Sequence, residues 1–133
     1  MENHQMENML YALGSYAAGL NAARWDLKAS ILEYIMADEK SVWPDRFDVD
    51  VKTTTFISNI FRRLVAICLK HGAVAIGGMA TALPNRDEEI NKVAADSIRS
   101  DKEWEARQGF LRGWSAHIYH MKTASDPFTE WWN

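Results

Sequence analysis

Residues 68–80 read CLKHGAVAIGGMA, and this stretch decides the fold. His71-Gly72 interrupts the helical spacing of the apolar residues before it, and glycine commonly ends a helix. Residues 73–79 then form an uninterrupted run of small and apolar side chains. A strand that is covered on both faces has this character, and such strands occur in parallel sheets flanked by helices. The stretch therefore predicts a helix followed by a buried parallel strand.

The same pattern continues on both sides of this stretch. It predicts strands at 16–23, 47–51, 73–79 and 113–119, and helices at 6–13, 29–37, 57–68 and 87–108. Strands that alternate with helices are typical of parallel βα units in the α/β class. Four such units are half of a (βα)8 TIM barrel, whose full size is about 250 residues. The periodicity alone also fits a small doubly wound sheet.

The composition is ordinary for a soluble globular protein. Of 133 residues, 47% are hydrophobic and 25% charged, and the net charge of −3 is spread along the chain. No clustered basic face argues for nucleic acid, and no apolar run approaches the roughly 20 residues that cross a bilayer. The first residues lack the features of a signal peptide. The single cysteine, Cys68, favours a reducing compartment, so a cytoplasmic protein is expected.

Asp26 is the candidate metal ligand. It follows the predicted strand at 16–23, and an acidic residue at the carboxyl end of a barrel strand faces the active-site mouth. A carboxylate in that position can hold a hard cation such as Mg²⁺. Asp26 can equally serve as the N-cap of the following helix, and both interpretations stay open.

Two further features lie near predicted strand ends. Gly77-Gly78-Met79 lets the backbone approach a ligand or another chain segment closely, but it lacks the spacing of a dinucleotide-binding loop. His117 and His120 flank the end of the last strand. Each is either a ligand or base, or a structural histidine with its hydrogen bonds satisfied.

Several collinear segments together resemble the type A malate synthases. The segments are GLNAARWD (19–26), WPDR (43–46), CLKHGAVAIGGMA (68–80), LP (83–84), NKV (91–93), SDKEWEA (100–106) and GWSAH (113–117). They are similar to that family's GLN-(C/A)-GRWD, LPDR, CHKRGA…GGMAA, IP, NxKV, DKEREA and GTWVAHP segments. The resemblance predicts the C-terminal half of the catalytic barrel at 1–118, followed by an unmatched tail at 119–133.

The resemblance implies a glyoxylate-cycle enzyme that joins acetyl-CoA to glyoxylate. In that family Mg²⁺ polarises the glyoxylate aldehyde, an aspartate base removes a methyl proton from acetyl-CoA, and the enolate attacks; hydrolysis of malyl-CoA then gives malate and CoA. Asp26 matches the aspartate metal ligand, and the backbone N–H groups of Trp25 and Asp26 match those that hold the glyoxylate carboxylate. Pro84 and Ala116-His117-Ile118 match the lining of the CoA channel.

Three catalytic groups of the family have no match in this sequence. They are the glutamate metal ligand, the arginine that stabilises the enolate, and the aspartate base. No residue is therefore assigned a catalytic role, and this chain alone is expected to be inactive. A diverged half-barrel that pairs with a partner and a citrate-lyase-like malyl-CoA lyase stay as alternatives. Exposed barrel edges predict self-association, and a peroxisomal or glyoxysomal location stays open for a eukaryotic source.

Overall fold

A computed structural model describes residues 5–45 and 48–132 of the chain. Among these residues there are five α-helices and three β-strands. In chain order they are α1 (Met6–Leu13), β1 (Gly19–Asn21), α2 (Arg24–Ile35), α3 (Thr55–Lys70), β2 (Val74–Ala80), α4 (Glu88–Gln108), β3 (Arg112–Ser115) and α5 (Met121–Trp132). Short 3-10 turns at Gly14–Tyr16 and Ile118–His120 precede β1 and α5.

The three strands form one parallel sheet with β2 in the centre. The first half of β2 pairs with β1, and β2 pairs with β3 up to Ala80 and Ser115, with an irregularity between Ile76 and Met79. Helices lie in both connections between strands. This arrangement confirms the predicted α/β class and is consistent with part of a TIM barrel.

Helix α3 provides much of the main hydrophobic core. Its buried apolar side chains recur at helical spacing and are Ile57, Phe61, Leu64, Val65, Ile67 and Cys68. Phe61 contacts Trp104 of α4 and Phe110, with ring centroids 5.7 and 5.6 Å apart. Ala75 of β2 is buried in the same cluster. The core therefore lies between β2 and the helices that cover one face of the sheet.

Strong local signals fix both ends of α4. The Asp87 side chain accepts a hydrogen bond from the Glu89 N–H at 2.9 Å, and Gly109 adopts a left-handed φ of 104° after the last turn. Both are established helix-terminating features. The predictions of α1, α3, β2 and α4 are confirmed, with boundaries within two residues.

The strand predicted at 47–51 is wrong for the part that the structure describes. Residues 48–51 form turns, and Phe47 lies outside the described residues. Val49 and Val51 are nevertheless buried in the main core. A loop that sends every second side chain into the core has the same period as a strand, which explains the misleading alternation.

The four predicted βα units require four strands, whereas the part of the chain that the structure describes contains three. Both α2 and α3 lie in the connection from β1 to β2, and the two strands are direct neighbours. The last strand is also shorter than the predicted 113–119, because residues 118–120 turn into a 3-10 helix that leads into α5.

Helix α5 packs on α4 and β3. Phe128 and Ala124 are buried, Arg99 of α4 pairs with Glu130, and the Trp132 indole N–H donates to the Phe110 carbonyl at 3.3 Å. The segment after residue 118 is thus part of the packed structure. Over the described ranges, every helix is too short or too polar to cross a membrane.

Candidate functional site

The residues singled out from the sequence follow the carboxyl ends of all three strands. Trp25 and Asp26 lie in the first turn of α2 after β1, Pro84 lies in the loop after β2, and residues 116–118 come directly after β3. Parallel neighbouring strands end at the same edge of a sheet. The structure therefore brings these residues to one edge, and all of them are exposed there.

Asp26 is the third residue of α2. The helix begins at Arg24, five residues before the predicted start, and Ala23 is its N-cap. The interpretation of Asp26 as the N-cap is therefore wrong. Its carboxylate lies in the first helical turn, where the helix dipole favours negative charge.

The start of α2 lies at the positive end of its helix dipole. Ala23 provides no side-chain cap, and an α-helix leaves its first N–H groups without acceptors inside the helix. Such N–H groups, together with the helix dipole, commonly bind carboxylates and phosphates. The N–H groups of Trp25 and Asp26 belong to this first turn.

The same turn offers one carboxylate to a metal ion. Within residues 5–45 and 48–132, no group of three or more His, Cys, Asp or Glu side chains could hold a metal. Mg²⁺ is usually held by one or two carboxylates, together with waters and substrate oxygens. An exposed Asp26 fits one protein ligand of such a site, with the other ligands supplied from elsewhere.

His117 and His120 have different surroundings at the end of β3. His117 is exposed, and its Nδ1 accepts a hydrogen bond from the Tyr119 N–H at 3.1 Å, which caps the 3-10 turn. His120 is 1% exposed, and the Tyr119 ring lies edge-on to it at 4.8 Å. The Ala116 N–H donates to the Ala80 carbonyl at 2.8 Å and so extends the β2–β3 pairing. The hydrogen bond from the Tyr119 N–H therefore gives His117 a structural function in this turn.

A charged cluster beneath the strand ends was not recognised from the sequence. We call Arg24, Lys52, Asp101, Lys102 and Glu105 the Arg24 cluster. The Arg24 guanidinium donates to Asp101 at 2.9 Å and to Glu105 at 2.7 Å. Lys52 pairs with Asp101 at 3.0 Å, and Lys102 pairs with Glu105 at 2.8 Å. The Lys102 and Glu105 side chains are 0% and 1% exposed.

The same cluster holds the backbone of β2. The Gly78 N–H donates to Glu105 at 3.0 Å, and the Lys102 ammonium donates to the Gly78 carbonyl. From the neighbouring strand, the Asn21 side-chain amide donates to the Gly77 carbonyl at 2.9 Å. Hydrogen bonds of this kind satisfy buried polar groups that would otherwise be costly.

Three glycines leave the space that the charged side chains occupy. A Cβ on Gly77 would lie 2.1 Å from a Glu105 carboxylate oxygen, and a Cβ on Gly78 would lie 2.3 Å from Arg24 Nε. A Cβ on Gly113 would lie 3.2 Å from Lys102 Nζ. Close packing of the Arg24 cluster thus explains the glycines of the GGM segment, because a residue without a Cβ lets other groups approach the backbone closely.

Burial and neighbouring charges shift the pKa values of the groups in this cluster in opposite directions. Burial lowers the pKa of Lys102 below its ordinary value, even though Glu105 opposes that shift. Burial also acts to raise the pKa of Asp101, but Arg24 and Lys52 outweigh it and the pKa lies below its usual range. For Arg24, burial is outweighed by Glu105 and Asp101, so its pKa is raised and it stays charged.

Comparisons of the amino-acid sequence with known proteins identify the family of this chain. A sequence model of the malate synthase TIM barrel domain matches residues 2–132. A malate synthase of Streptomyces arenae is 39% identical over 98% of this chain and 24% of its own length. Malate synthase A of Escherichia coli is 36% identical over 95% of this chain and 24% of its own length. Glyoxysomal malate synthase of Gossypium hirsutum is 33% identical over 94% of this chain and 22% of its own length.

The chain therefore spans between 22% and 24% of the length of these relatives. The matched region contains β1, β2 and β3 together with the Arg24 cluster. From the match over residues 2–132 we conclude that the chain belongs to the malate synthase family and represents part of its TIM barrel domain.

Proposed function

We propose that this chain supplies part of a malate synthase active site. In the complete enzyme, acetyl-CoA condenses with glyoxylate to give malate and CoA. The observation that carries the proposal is the position of Asp26, in the first turn of a helix that follows a parallel strand. Asp26 would be one Mg²⁺ ligand, and the bound ion would polarise the glyoxylate aldehyde.

The N–H groups of Trp25 and Asp26 are proposed to hold the glyoxylate carboxylate. They lie at the positive end of the α2 dipole, which favours a bound anion. The substrate carboxylate would thereby be fixed next to Asp26. This geometry would orient glyoxylate for attack at its aldehyde carbon, and orientation is a large part of catalysis.

Pro84, Ala116, His117 and Ile118 are proposed to line part of the acetyl-CoA channel. They are exposed and follow β2 and β3 at the same edge of the sheet as Asp26. The exposed apolar surface of Leu83 and Ile118 is suitable for the uncharged part of an acyl-CoA chain.

The remaining catalytic groups are proposed to come from polypeptide outside these 133 residues. The chain by itself would then make no malate, because the arginine, the base and the second metal carboxylate have no match here. A location in the cytoplasm is proposed, since Cys68 is a free buried thiol of the kind found in reducing compartments. A glyoxysome is the alternative for a eukaryotic source, because one relative is named glyoxysomal.

A chimera tests the proposed function. The 133 residues would replace the matching segment of the Streptomyces arenae malate synthase, and CoA release from acetyl-CoA and glyoxylate would be measured with Mg²⁺. We expect activity in the chimera and a loss of about 10³-fold or more in Asp26→Asn, as for other members of catalytic constellations. Asp96→Asn, an exposed change on α4, should leave the rate unchanged. An active chimera that is insensitive to Asp26→Asn would refute the proposed metal ligand.

A further inference from the structure

We propose that Arg24 is a positioning residue that fixes the first turn of α2 against β2. The inference rests on the proposed function, because Asp26 and the N–H groups of Trp25 and Asp26 lie in that turn. Arg24 is not placed in contact with substrate or metal. It would act by holding in place Asp26 and the N–H groups that are proposed to contact the metal and the substrate.

Apolar burial of this part of α2 is incomplete. Ala23 gives no side-chain cap, and none of the residues of α2 is fully buried. Most helices in proteins are held by an apolar face that packs on the core. The last backbone hydrogen bond from this segment to β2 runs from the Ala22 N–H to the Ile76 carbonyl, at 2.9 Å. Beyond Ala22, Leu27 packs partly buried against the main core, and the side chain of Arg24 connects the turn to α4.

Arg24 connects the turn to two carboxylates of one helix. Its Nη1 contacts Asp101 at 2.9 Å and its Nη2 contacts Glu105 at 2.7 Å, and both partners are in α4. A guanidinium with two separate carboxylate acceptors has a defined orientation, because its donors form a rigid fork. A lysine in the same place would have one mobile ammonium group and would make a less directional contact.

The carboxylate that holds Arg24 also holds β2. The same Glu105 Oε1 accepts the Gly78 N–H at 3.0 Å, while Oε2 accepts Lys102 at 2.8 Å. Gly78 lies so close to Arg24 Nε that a Cβ there would be 2.3 Å away. One buried carboxylate therefore joins the start of α2 to the central strand, and the distance between them is fixed by direct contact.

Hydrogen–deuterium exchange read by mass spectrometry tests this inference on the 133-residue chain. Arg24→Met should increase exchange of the amides at 27–31, which begin the hydrogen bonding inside α2, about tenfold or more relative to α3 and α4, because a partly buried ion pair is lost. Arg24→Lys should restore part of the protection. The matched control is Arg99→Met, which removes a partly exposed arginine paired with Glu103 and Glu130 and should leave exchange at 27–31 unchanged.

The same measurement with Mg²⁺ and glyoxylate separates the two proposals. We expect the ligands to protect residues 24–28 in the chimera, which supplies the remaining groups of the site, and to protect them less when the chimera carries Arg24→Met. If the chimera shows no ligand protection at 24–28, the proposed function is wrong, while selective loosening of the 133-residue chain in Arg24→Met still supports the positioning by Arg24. Unchanged exchange in Arg24→Met, or loosening spread equally over α3 and α4, would overturn the inference.

Discussion

Single charged side chains determine much of the electrostatic character of the strand-end edge. The Arg24 cluster contains three basic side chains and two acidic ones, which gives one surplus positive charge. Lys102 and Glu105 form a buried pair of opposite charges. The surplus charge therefore belongs to Arg24, Lys52 and Asp101, whose side chains are partly exposed. It lies beneath the start of α2 and adds to the helix dipole there. Both features would favour the glyoxylate carboxylate that is proposed to bind at this turn.

Asp101 gives this cluster a defined pH dependence. Its folded pKa is below the ordinary value of 3.8, because Arg24 and Lys52 outweigh the effect of burial. A carboxyl with a lowered folded pKa stabilises the fold above its unfolded pKa, and this contribution is lost as the pH falls through the folded pKa. We expect the free energy of unfolding to decrease on acidification below about pH 4, and to decrease less in Asp101→Asn.

Urea unfolding at neutral and acidic pH measures this difference. Asp96→Asn is the matched control, because Asp96 is an exposed carboxylate on the same helix. It should retain the acid sensitivity of the native chain. Equal acid sensitivity of Asp101→Asn and the native chain would contradict the assignment.

Sequence patterns single out Asp26 and the neighbouring strand ends as candidates, but they give no sign of the Arg24 cluster. The position of Asp26 follows from chain order, because the residue comes directly after a strand. The partners of Arg24 are 77 and 81 residues away, and periodicity carries no information about such pairings. Lys102 and Glu105 lie in a long charged helix, where polar side chains usually face solvent. Only the packing of α4 on β2 shows that they are buried.

Among the elements, strand β2 has a strict requirement for glycine, because there is no room for a Cβ at Gly77. At Gly77 a Cβ would be 2.1 Å from a Glu105 oxygen, and that carboxylate is held by Arg24, Lys102 and the Gly78 N–H. It cannot move aside without breaking these contacts. The strand and α4 therefore fit together only with glycine at this position.

We expect Gly77→Ala to lower the free energy of unfolding by about 3 kcal/mol or more, since it combines overpacking with a disrupted buried ion pair. Gly72→Ala is the comparison, because no atom lies within 4 Å of its added Cβ and only the left-handed φ of +65° opposes it. That strain costs about 1–2 kcal/mol. Urea unfolding of the two variants provides the test, and equal losses would show that the space beside Glu105 is not restrictive.

Helix α2 shows why one boundary was misplaced from the sequence. An amphipathic helix is recognised by a buried stripe, but α2 has no fully buried residue. Its first turn therefore gave no periodic signal, and the start was predicted at residue 29. Helices α3 and α4 were located well because α3 has a regular apolar face and α4 has clear end signals.

The whole molecule exposes more surface than a monomer of its size usually does. Its accessible area is 9326 Å², whereas the usual scaling with mass gives about 7,100 Å² for a 15.2 kDa monomer. Trp25 and Trp114 are more than half exposed, at 57% and 53%. Strands β1 and β3 are each paired on one side within the described sheet, and unpaired strand edges favour association.

We expect the isolated chain to form dimers or larger species in dilute solution. Light scattering measures the mass, and Trp114→Lys should increase the monomer fraction because it places a charge on the edge strand. Tyr34→Lys, a change at another exposed aromatic side chain, on α2, should have little effect. A monodisperse monomer with cooperative unfolding would show that the three strands and their helices form a self-sufficient fold.

The long separation between Arg24 and its partners also has a consequence for synthesis on the ribosome. Arg24 emerges 77 residues before Asp101 and 81 residues before Glu105. At about 5–20 residues per second, the first turn of α2 is present for roughly 4–16 s before α4 can hold it. During that interval the residues of the proposed glyoxylate site have been synthesised, but the helix that holds Arg24 has not. The first turn of α2 is therefore fixed only after α4, a later part of these 133 residues, has been made.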